Sequence, residues 1–197
     1  MARKLNNSRA LRILTAAHDE FAKRGFDGAR VEEIARRAGV NKQLVFYYYR
    51  SKRGLFQAVL ARGARDLEQA LTAVGASPGQ PLVQLRAALA AQFRFLARNP
   101  DLVKVLTRAG RSEARPFAPA INQLVVLLAE GQGLGEVRGD LDPHLTASQA
   151  LVLMVAYLLL EPLIAASAPP LGGDESTLVD RWEDSAIRLV LNGVAAP

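Results

Sequence analysis

The chain has 197 residues, of which 50% are apolar and 22% are charged, a composition typical of a packed globular protein. It contains no cysteine, which excludes disulfide frameworks, thiolate zinc sites and cysteine nucleophiles. The net charge of +6 is concentrated at one end, since residues 1–53 contain 13 Lys and Arg against 5 Asp and Glu. This asymmetry predicts a polyanionic partner for the first quarter of the chain and none for the rest.

The sequence signals for export or for insertion into a membrane are weak. Residues 1–8 lack the apolar core and the cleavage site of a signal peptide. The most apolar stretch, residues 150–160, is far shorter than the roughly 20 residues of a membrane span, and Glu161 and Pro162 interrupt its continuation. We therefore expect a cytoplasmic protein without membrane contact, in which residues 150–160 belong to a buried helix.

Helical periodicity predicts three short helices in the first fifty residues. In the first, residues 8–25, apolar side chains recur every three or four positions, with Ser8 as the cap and Gly25 as the stop. The second spans residues 31–38, and the third begins at the cap Asn41 and ends near residue 49.

Six further helices bring the expected total to about nine, beginning with one capped by Ser51. They are predicted at about 51–71, 82–98, 101–110, 116–130, 144–167 and 175–192. Gly- and Pro-rich segments at 75–81, 130–143 and 168–173 predict the longer connections, and Asp142 followed by Pro143 predicts a capped helix start. No segment sustains the two-residue alternation of a strand, so the expected fold class is all-α.

The turn between the second and third helices has the spacing of a helix-turn-helix. Gly39 supplies the backbone conformation of the turn, and Ala35 is small enough for the two helices to cross closely. Val40 and Val45 are expected to pack the pair onto the first helix. The third helix would then direct its first turns at the major groove of DNA.

Four side chains of this third helix are candidates for base contacts. Gln43 carries an amide that can pair with adenine, and Lys42 can donate to guanine or to phosphate. Leu44 or Phe46 can touch a thymine methyl group.

Tyr47 and Lys52 are candidates for phosphate contacts, the first through its hydroxyl and the second through a charge beside free backbone amides. Asn41, at the start of the third helix, completes this candidate set. For the aromatic run 46–49, core packing is the alternative explanation. A helix of this length cannot bury four rings, so at least one should face outward.

The stretch from residue 9 to residue 60 resembles the DNA-binding region of the TetR family of transcriptional regulators. Eleven of its residues fall where the family pattern expects them: Phe21, Gly25, Phe26, Ile34, Ala35, Gly39, Val40, Tyr48, Ser51, Lys52 and Leu55. The glycine-rich segment at 130–143 also resembles the family's usual entry to its dimerisation helix, so the resemblance extends loosely over the whole chain.

Four positions depart from the family pattern. Arg30 stands where Ser or Thr is usual, so it can keep a phosphate contact while losing a helix cap. Phe46 replaces the usual tyrosine, Tyr47 the common histidine, and Gln43 a small residue. These changes should alter the preferred DNA sequence without undoing the fold.

The resemblance implies a ligand-responsive, homodimeric transcriptional repressor rather than an enzyme, without a cofactor or a metal. Residues 4–52 would form a three-helix DNA-binding domain, and residues 53–197 a helical domain for effector binding and dimerisation. Two recognition helices in successive major grooves, about 34 Å apart, imply a palindromic operator on double-stranded DNA.

The resemblance also suggests where a second copy and a small molecule would bind. The last two helices should form a four-helix dimer interface, with Leu151, Leu158, Ile187 and Leu191 as candidates. A small, largely apolar effector would bind near a second set of side chains, for each of which core packing is the alternative: Phe93, Leu96, Leu106, Phe117, Met154 and Tyr157.

Two other functions remain open at this point. The basic end could instead bind an anionic membrane surface or a protein partner, which predicts weak, sequence-blind DNA binding. Residues 75–79 match the G-x-S-x-G of serine hydrolases, with His144 as a possible base. That motif requires a preceding strand and a following helix, whereas a helix is predicted before it here.

Overall fold

The computed structural model describes residues 2–72, 80–167 and 175–196. A short 3-10 turn, Arg115–Phe117, precedes the eighth helix. The helices are α1 (Ala2–Gly28), α2 (Val31–Ala38), α3 (Lys42–Tyr49), α4 (Lys52–Thr72), α5 (Pro81–Arg98), α6 (Pro100–Thr107), α7 (Arg111–Ala114), α8 (Ala118–Gly133), α9 (Pro143–Ser167) and α10 (Glu175–Val194).

The all-α fold class is confirmed. Within the described ranges the extended pairing amounts to one isolated antiparallel bridge, between Val137 and Ala195. The connection predicted at 168–173 and the G-x-S-x-G at 75–79 lie outside the described residues.

Most helix ends follow the sequence signals, but the start of α1 does not. Ser8 was expected to cap this helix, and instead it lies inside a helix that begins at Ala2. The reason is that residues 2–5 are good helix formers, so nothing stops the helix from extending past Ser8. Gly25 interrupts α1 with φ 70°, as expected for a helix stop, and one further turn reaches Gly28.

Two compact units make up the chain. The first contains Met1–Asp66 and Pro100–Phe117, and the second contains Leu67–Asn99 and Ala118–Pro197. The first unit therefore includes α6 and the four-residue α7, which was not predicted as a separate helix. The boundary between residues 52 and 53 that the sequence suggested stays a prediction.

The first unit is organised around aromatic packing on α1. The Phe21 ring lies 5.0 Å from the Phe56 ring and 6.2 Å from the Phe26 ring, measured between centroids.

Segment 100–117 is joined to the rest of the first unit by polar contacts as well. Arg53 of α4 donates to the buried Glu113 carboxylate. The Ser112 hydroxyl, followed by a backbone amide and Arg53, holds the pKa of Glu113 below its usual value.

The second unit buries a cluster contributed by α5, α8, α9 and α10. Tyr157 is buried in this cluster, with the centre of its ring 6.1 Å from that of Phe93 and 4.5 Å from that of Trp182. The start of α9 is capped as predicted, because the Leu145 amide donates to the Asp142 carboxylate at 2.9 Å and Pro143 is the first helical residue.

Residues Pro143–Ile164 of α9 are long and apolar enough to cross a membrane by length and composition. However, one face of this helix contributes Ala147, Ala150, Met154 and Tyr157 to the core of the second unit. We therefore interpret α9 as a core helix, which leaves its opposite face to be explained.

An ion pair with one buried partner joins α5 to α10. Arg94 Nη2 lies 2.8 Å from Glu183 Oε1, and Arg94 Nε donates to Oε2 at 3.0 Å. The Glu183 side chain is 6% exposed. A buried carboxylate requires donors, so this pair is expected to contribute more than a surface ion pair does.

Arg94→Ala should lower the free energy of unfolding by about 1–2 kcal/mol, because it removes the arginine donor from a buried carboxylate. Arg86→Ala is the matched control on the same helix, since Arg86 and Asp184 form an exposed pair at 3.6 Å. That control should lose about 0.5 kcal/mol or less. Urea unfolding followed by circular dichroism measures both, and equal losses would contradict this interpretation.

Candidate nucleic-acid interface

The turn between α2 and α3 has the conformation that the helix-turn-helix pattern predicts. Gly39 ends α2 with φ 65° and ψ 41°, a left-handed conformation that favours glycine. Its amide donates to the Arg36 carbonyl at 3.2 Å, and the Val40 amide donates to the Ala35 carbonyl at 3.0 Å. Ala35 is buried, as expected for a residue at which the helices approach closely. The direction in which α3 leaves the turn is therefore fixed by hydrogen bonds.

Both ends of α3 are fixed as well. At the first end, the Asn41 side chain accepts a hydrogen bond from the Leu44 amide at 2.8 Å, which confirms the predicted cap. At the other end, the Tyr49 hydroxyl donates to the Ala10 carbonyl of α1 at 2.8 Å. Between them, Val45 is buried. One face of this eight-residue helix is therefore turned inward and held there.

The opposite face of α3 is open to solvent. Asn41, Lys42 and Gln43 are exposed, and Leu44 and Phe46 are partly exposed. Tyr47 is 68% exposed, so the aromatic run contains an outward-facing ring, as expected. The structure thus brings the candidate base-contact residues onto one accessible surface, and their contacts with DNA stay a prediction.

Lys42 has an intramolecular partner that the sequence did not suggest. Its Nζ donates to Glu32 Oε1 of α2 at 2.5 Å and lies 5.6 Å from the centre of the Phe46 ring. The hydrogen bond from Lys42, followed by a backbone hydrogen bond, holds the pKa of Glu32 below its usual value. Glu32 is therefore ionised at neutral pH. The pair joins residues ten positions apart on two helices, which local patterns do not reveal.

The candidate phosphate-contact residues flank α3. Lys52 is partly exposed, and its Nζ donates to the Asp27 carbonyl at 3.0 Å and lies 4.9 Å from the centre of the Phe26 ring. The preceding Ser51 caps α4 by accepting from the Gly54 amide at 3.0 Å, as predicted. Arg30 is exposed at the start of α2, and within the described chain its side chain makes no capping hydrogen bond. This agrees with the lost cap expected at that position.

The six candidate effector residues fall in both units. Phe93, Met154 and Tyr157 share the core cluster of the second unit, and Leu96 is buried on α5 of the same unit. Two further candidates, Leu106 and Phe117, belong to the first unit.

The candidate dimer residues are less exposed than expected. Ile187 is 1% exposed and belongs to the core of its own protomer, so its side chain has almost no surface to offer a partner. Leu151, Leu158 and Leu191 are partly buried. The strongly exposed apolar side chains of α9 are different ones: Leu145, Val152, Leu159, Leu160 and Leu163. Sequence reasoning missed these because α9 is apolar on every side.

Comparisons with known proteins agree with the geometry. Residues 13–59 match the family model described as bacterial regulatory proteins, tetR family. The chain is 29% identical over 158 residues to the transcriptional repressor NicS of Pseudomonas putida, an alignment that covers 77% of this chain and 71% of that protein.

Solved structures share the whole fold. A transcriptional regulator of Streptomyces coelicolor is 26% identical and superposes with a TM-score of 0.74, over 95% of this chain and 98% of the other. The regulator FadR of Bacillus subtilis, solved in complex with stearoyl-CoA, superposes with a TM-score of 0.73 at 17% identity, over 93% of this chain and 98% of that one.

Asn41→Ala should destabilise the protein by about 1 kcal/mol, because the Leu44 amide loses its acceptor. Asn41→Ser should stay close to the parent, since a hydroxyl oxygen can accept the same hydrogen bond. Thermal unfolding compares the two variants. If serine proved as destabilising as alanine, the cap would not be what fixes the start of α3.

Proposed function

We propose that this protein is a homodimeric repressor and that a small apolar effector releases it from a palindromic operator. The premise is that the chain belongs to the TetR family of bacterial regulatory proteins and is a DNA-binding transcriptional regulator. The observation that supports it best is the open face of α3, the recognition helix, on the part of the chain that holds the excess positive charge. Polar groups and a cation there can reach base edges in a major groove.

Each exposed residue of the recognition helix has a role in this proposal. Gln43 pairs with adenine, Lys42 donates to a guanine edge, and Phe46 or Leu44 contacts a thymine methyl group. Tyr47, whose ring is highly exposed, donates to a phosphate. The flanking cations would then set the position of the protein on the duplex.

Those flanking cations are Arg30 and Lys52, which we assign to phosphate contacts. Lys52 is already held by the Asp27 carbonyl and the Phe26 ring, so its ammonium group loses little freedom on binding. Asn41 fixes the start of the helix through its cap and places its exposed polar end beside the same groove.

We propose that a second copy of this chain covers the outer face of α9. Leu145, Val152 and Leu159 follow one another at seven-residue intervals and are 63%, 65% and 44% exposed, and Leu163 extends the row by one turn. Such a row of apolar side chains on a helix whose other face is in the core favours a helical partner. A dimer with two-fold symmetry contains two recognition helices, as binding to a palindromic operator requires.

An apolar effector is consistent with the second unit. In this unit the Tyr157 ring stacks on Trp182 and lies beside the tilted Phe93 ring, among aliphatic side chains. FadR, which has the same fold, was solved with an acyl-chain ligand. We propose that binding near these rings changes the spacing of the two DNA-binding units in the dimer, in the cytoplasm and without a catalytic step or a cofactor.

The DNA-binding proposal is tested by selecting duplexes from a random pool at physiological salt. We expect enrichment of a palindrome. Gln43→Ala should change which bases are preferred, whereas Lys52→Ala should weaken binding to all duplexes by a similar factor, about tenfold. Absence of an enriched palindrome would contradict the operator proposal and favour the sequence-blind alternative. A reversed pattern between the two variants would contradict the assigned roles.

The dimer proposal is tested by placing a charge in the exposed row. Val152→Glu should convert the dimer to monomer at micromolar concentrations, because a carboxylate would be buried against leucine side chains. Val83→Glu is the matched control, since Val83 is 52% exposed on α5 of the same unit. Sedimentation velocity distinguishes the two. A dimer that persists in the Val152 variant, or a parent protein that is already monomeric, would exclude this face as the interface.

A further inference from the structure

The ion pair between Glu32 and Lys42 lies on the surface that the proposed function assigns to DNA. Lys42 is in the first turn of the recognition helix, and Glu32 is in the first turn of α2. The two side chains are joined at 2.5 Å, and they are 50% and 64% exposed for Lys42 and Glu32 respectively. An exposed pair of this kind contributes little to stability. Its position suggests a different role.

We propose that Glu32 determines specificity by withholding Lys42 from random DNA. This inference rests on the proposed DNA-binding function. A phosphate backbone offers any free ammonium group a favourable contact that carries no sequence information. While Lys42 is paired, that contact requires either breaking the pair or bringing the Glu32 carboxylate close to a phosphate. Random duplexes are therefore bound less tightly than the charge of the unit would suggest.

The correct site can be bound with the pair intact, whereas a phosphate of a random site cannot be contacted without a cost. A guanine edge offers two acceptors, O6 and N7, to a lysine at the start of the recognition helix. Phe46, whose ring lies 5.6 Å from the ammonium group, limits the directions that Lys42 can take. An ammonium group has three donors and a guanine edge carries no net charge, so Lys42 can contact this edge while it stays paired with Glu32. The carboxylate therefore weakens random binding more than operator binding.

The neighbouring carboxylate provides a comparison within the same helix turn. Glu33 accepts from Arg36 at 2.6 and 2.9 Å and lies 3.6 Å from Arg37. All three residues belong to α2, so Glu33 is paired inside its own helix. Substituting either glutamate by glutamine removes the same charge from the same turn. The two substitutions differ in whether Lys42 is released.

The experiment measures the affinity of the full chain for two duplexes of equal length, an enriched sequence and a random one, over a series of salt concentrations. Glu32→Gln should raise the affinity for the random duplex about three- to tenfold. The slope of log affinity against log salt concentration for this duplex should steepen by about one, because one more cation contacts phosphate. The affinity for the enriched duplex should change less than twofold. Glu33→Gln should leave the ratio of the two affinities within twofold of the parent.

A double substitution tests whether the effect passes through Lys42. In a Lys42→Gln background, Glu32→Gln should no longer change the affinity ratio. If Glu32→Gln leaves the ratio unchanged in the parent chain, or changes it as Glu33→Gln does, the specificity role of Glu32 is wrong while the regulator function stands. If the parent chain prefers no sequence at all, the proposed function fails and this inference fails with it.

Discussion

The recognition helix has to bury one side and expose the other, and contacts within the first unit hold it in that orientation. Val45 is held inward, the Asn41 cap fixes one end, and the bond from Tyr49 to the Ala10 carbonyl fixes the other. The left-handed turn at Gly39 sets the direction of the chain between α2 and α3. A side chain on the open face therefore points outward in the free protein, and the backbone of α3 needs little ordering on binding.

The excess positive charge of the first quarter of the chain is partly neutralised or held in place on this surface by groups of the protein itself. Lys42 is paired with a carboxylate, and Lys52 is bound to a carbonyl and lies against an aromatic ring. Cations that are already oriented favour particular contacts over general attraction to phosphate. The surface is consequently suited to discriminating among DNA sequences, which a uniformly basic patch would not be.

Sequence patterns that span only a few neighbouring residues, such as helix caps and apolar periodicity, were sufficient to predict much of the fold and the open face of α3. The caps at Asn41, Ser51 and Asp142 were identified from the sequence, because a cap depends on a side chain and an amide three residues apart.

Features that depend on distant parts of the chain were missed. The partner of Lys42 is ten residues away on another helix, and the inward orientation of Ile187 depends on how α10 packs in its own protomer. The early start of α1 shows a further limit, since a good cap does not begin a helix where the preceding residues continue it.

The central claim is that the open face of α3 is the surface that meets DNA. Hydrogen–deuterium exchange of the full chain, with and without the enriched duplex, tests it most directly. The account predicts that added protection is greatest in peptides covering residues 41–47, with less at residues 30–32 and near Lys52. Protection confined to another surface, such as the outer face of α9, with exchange of α3 unchanged, would contradict it.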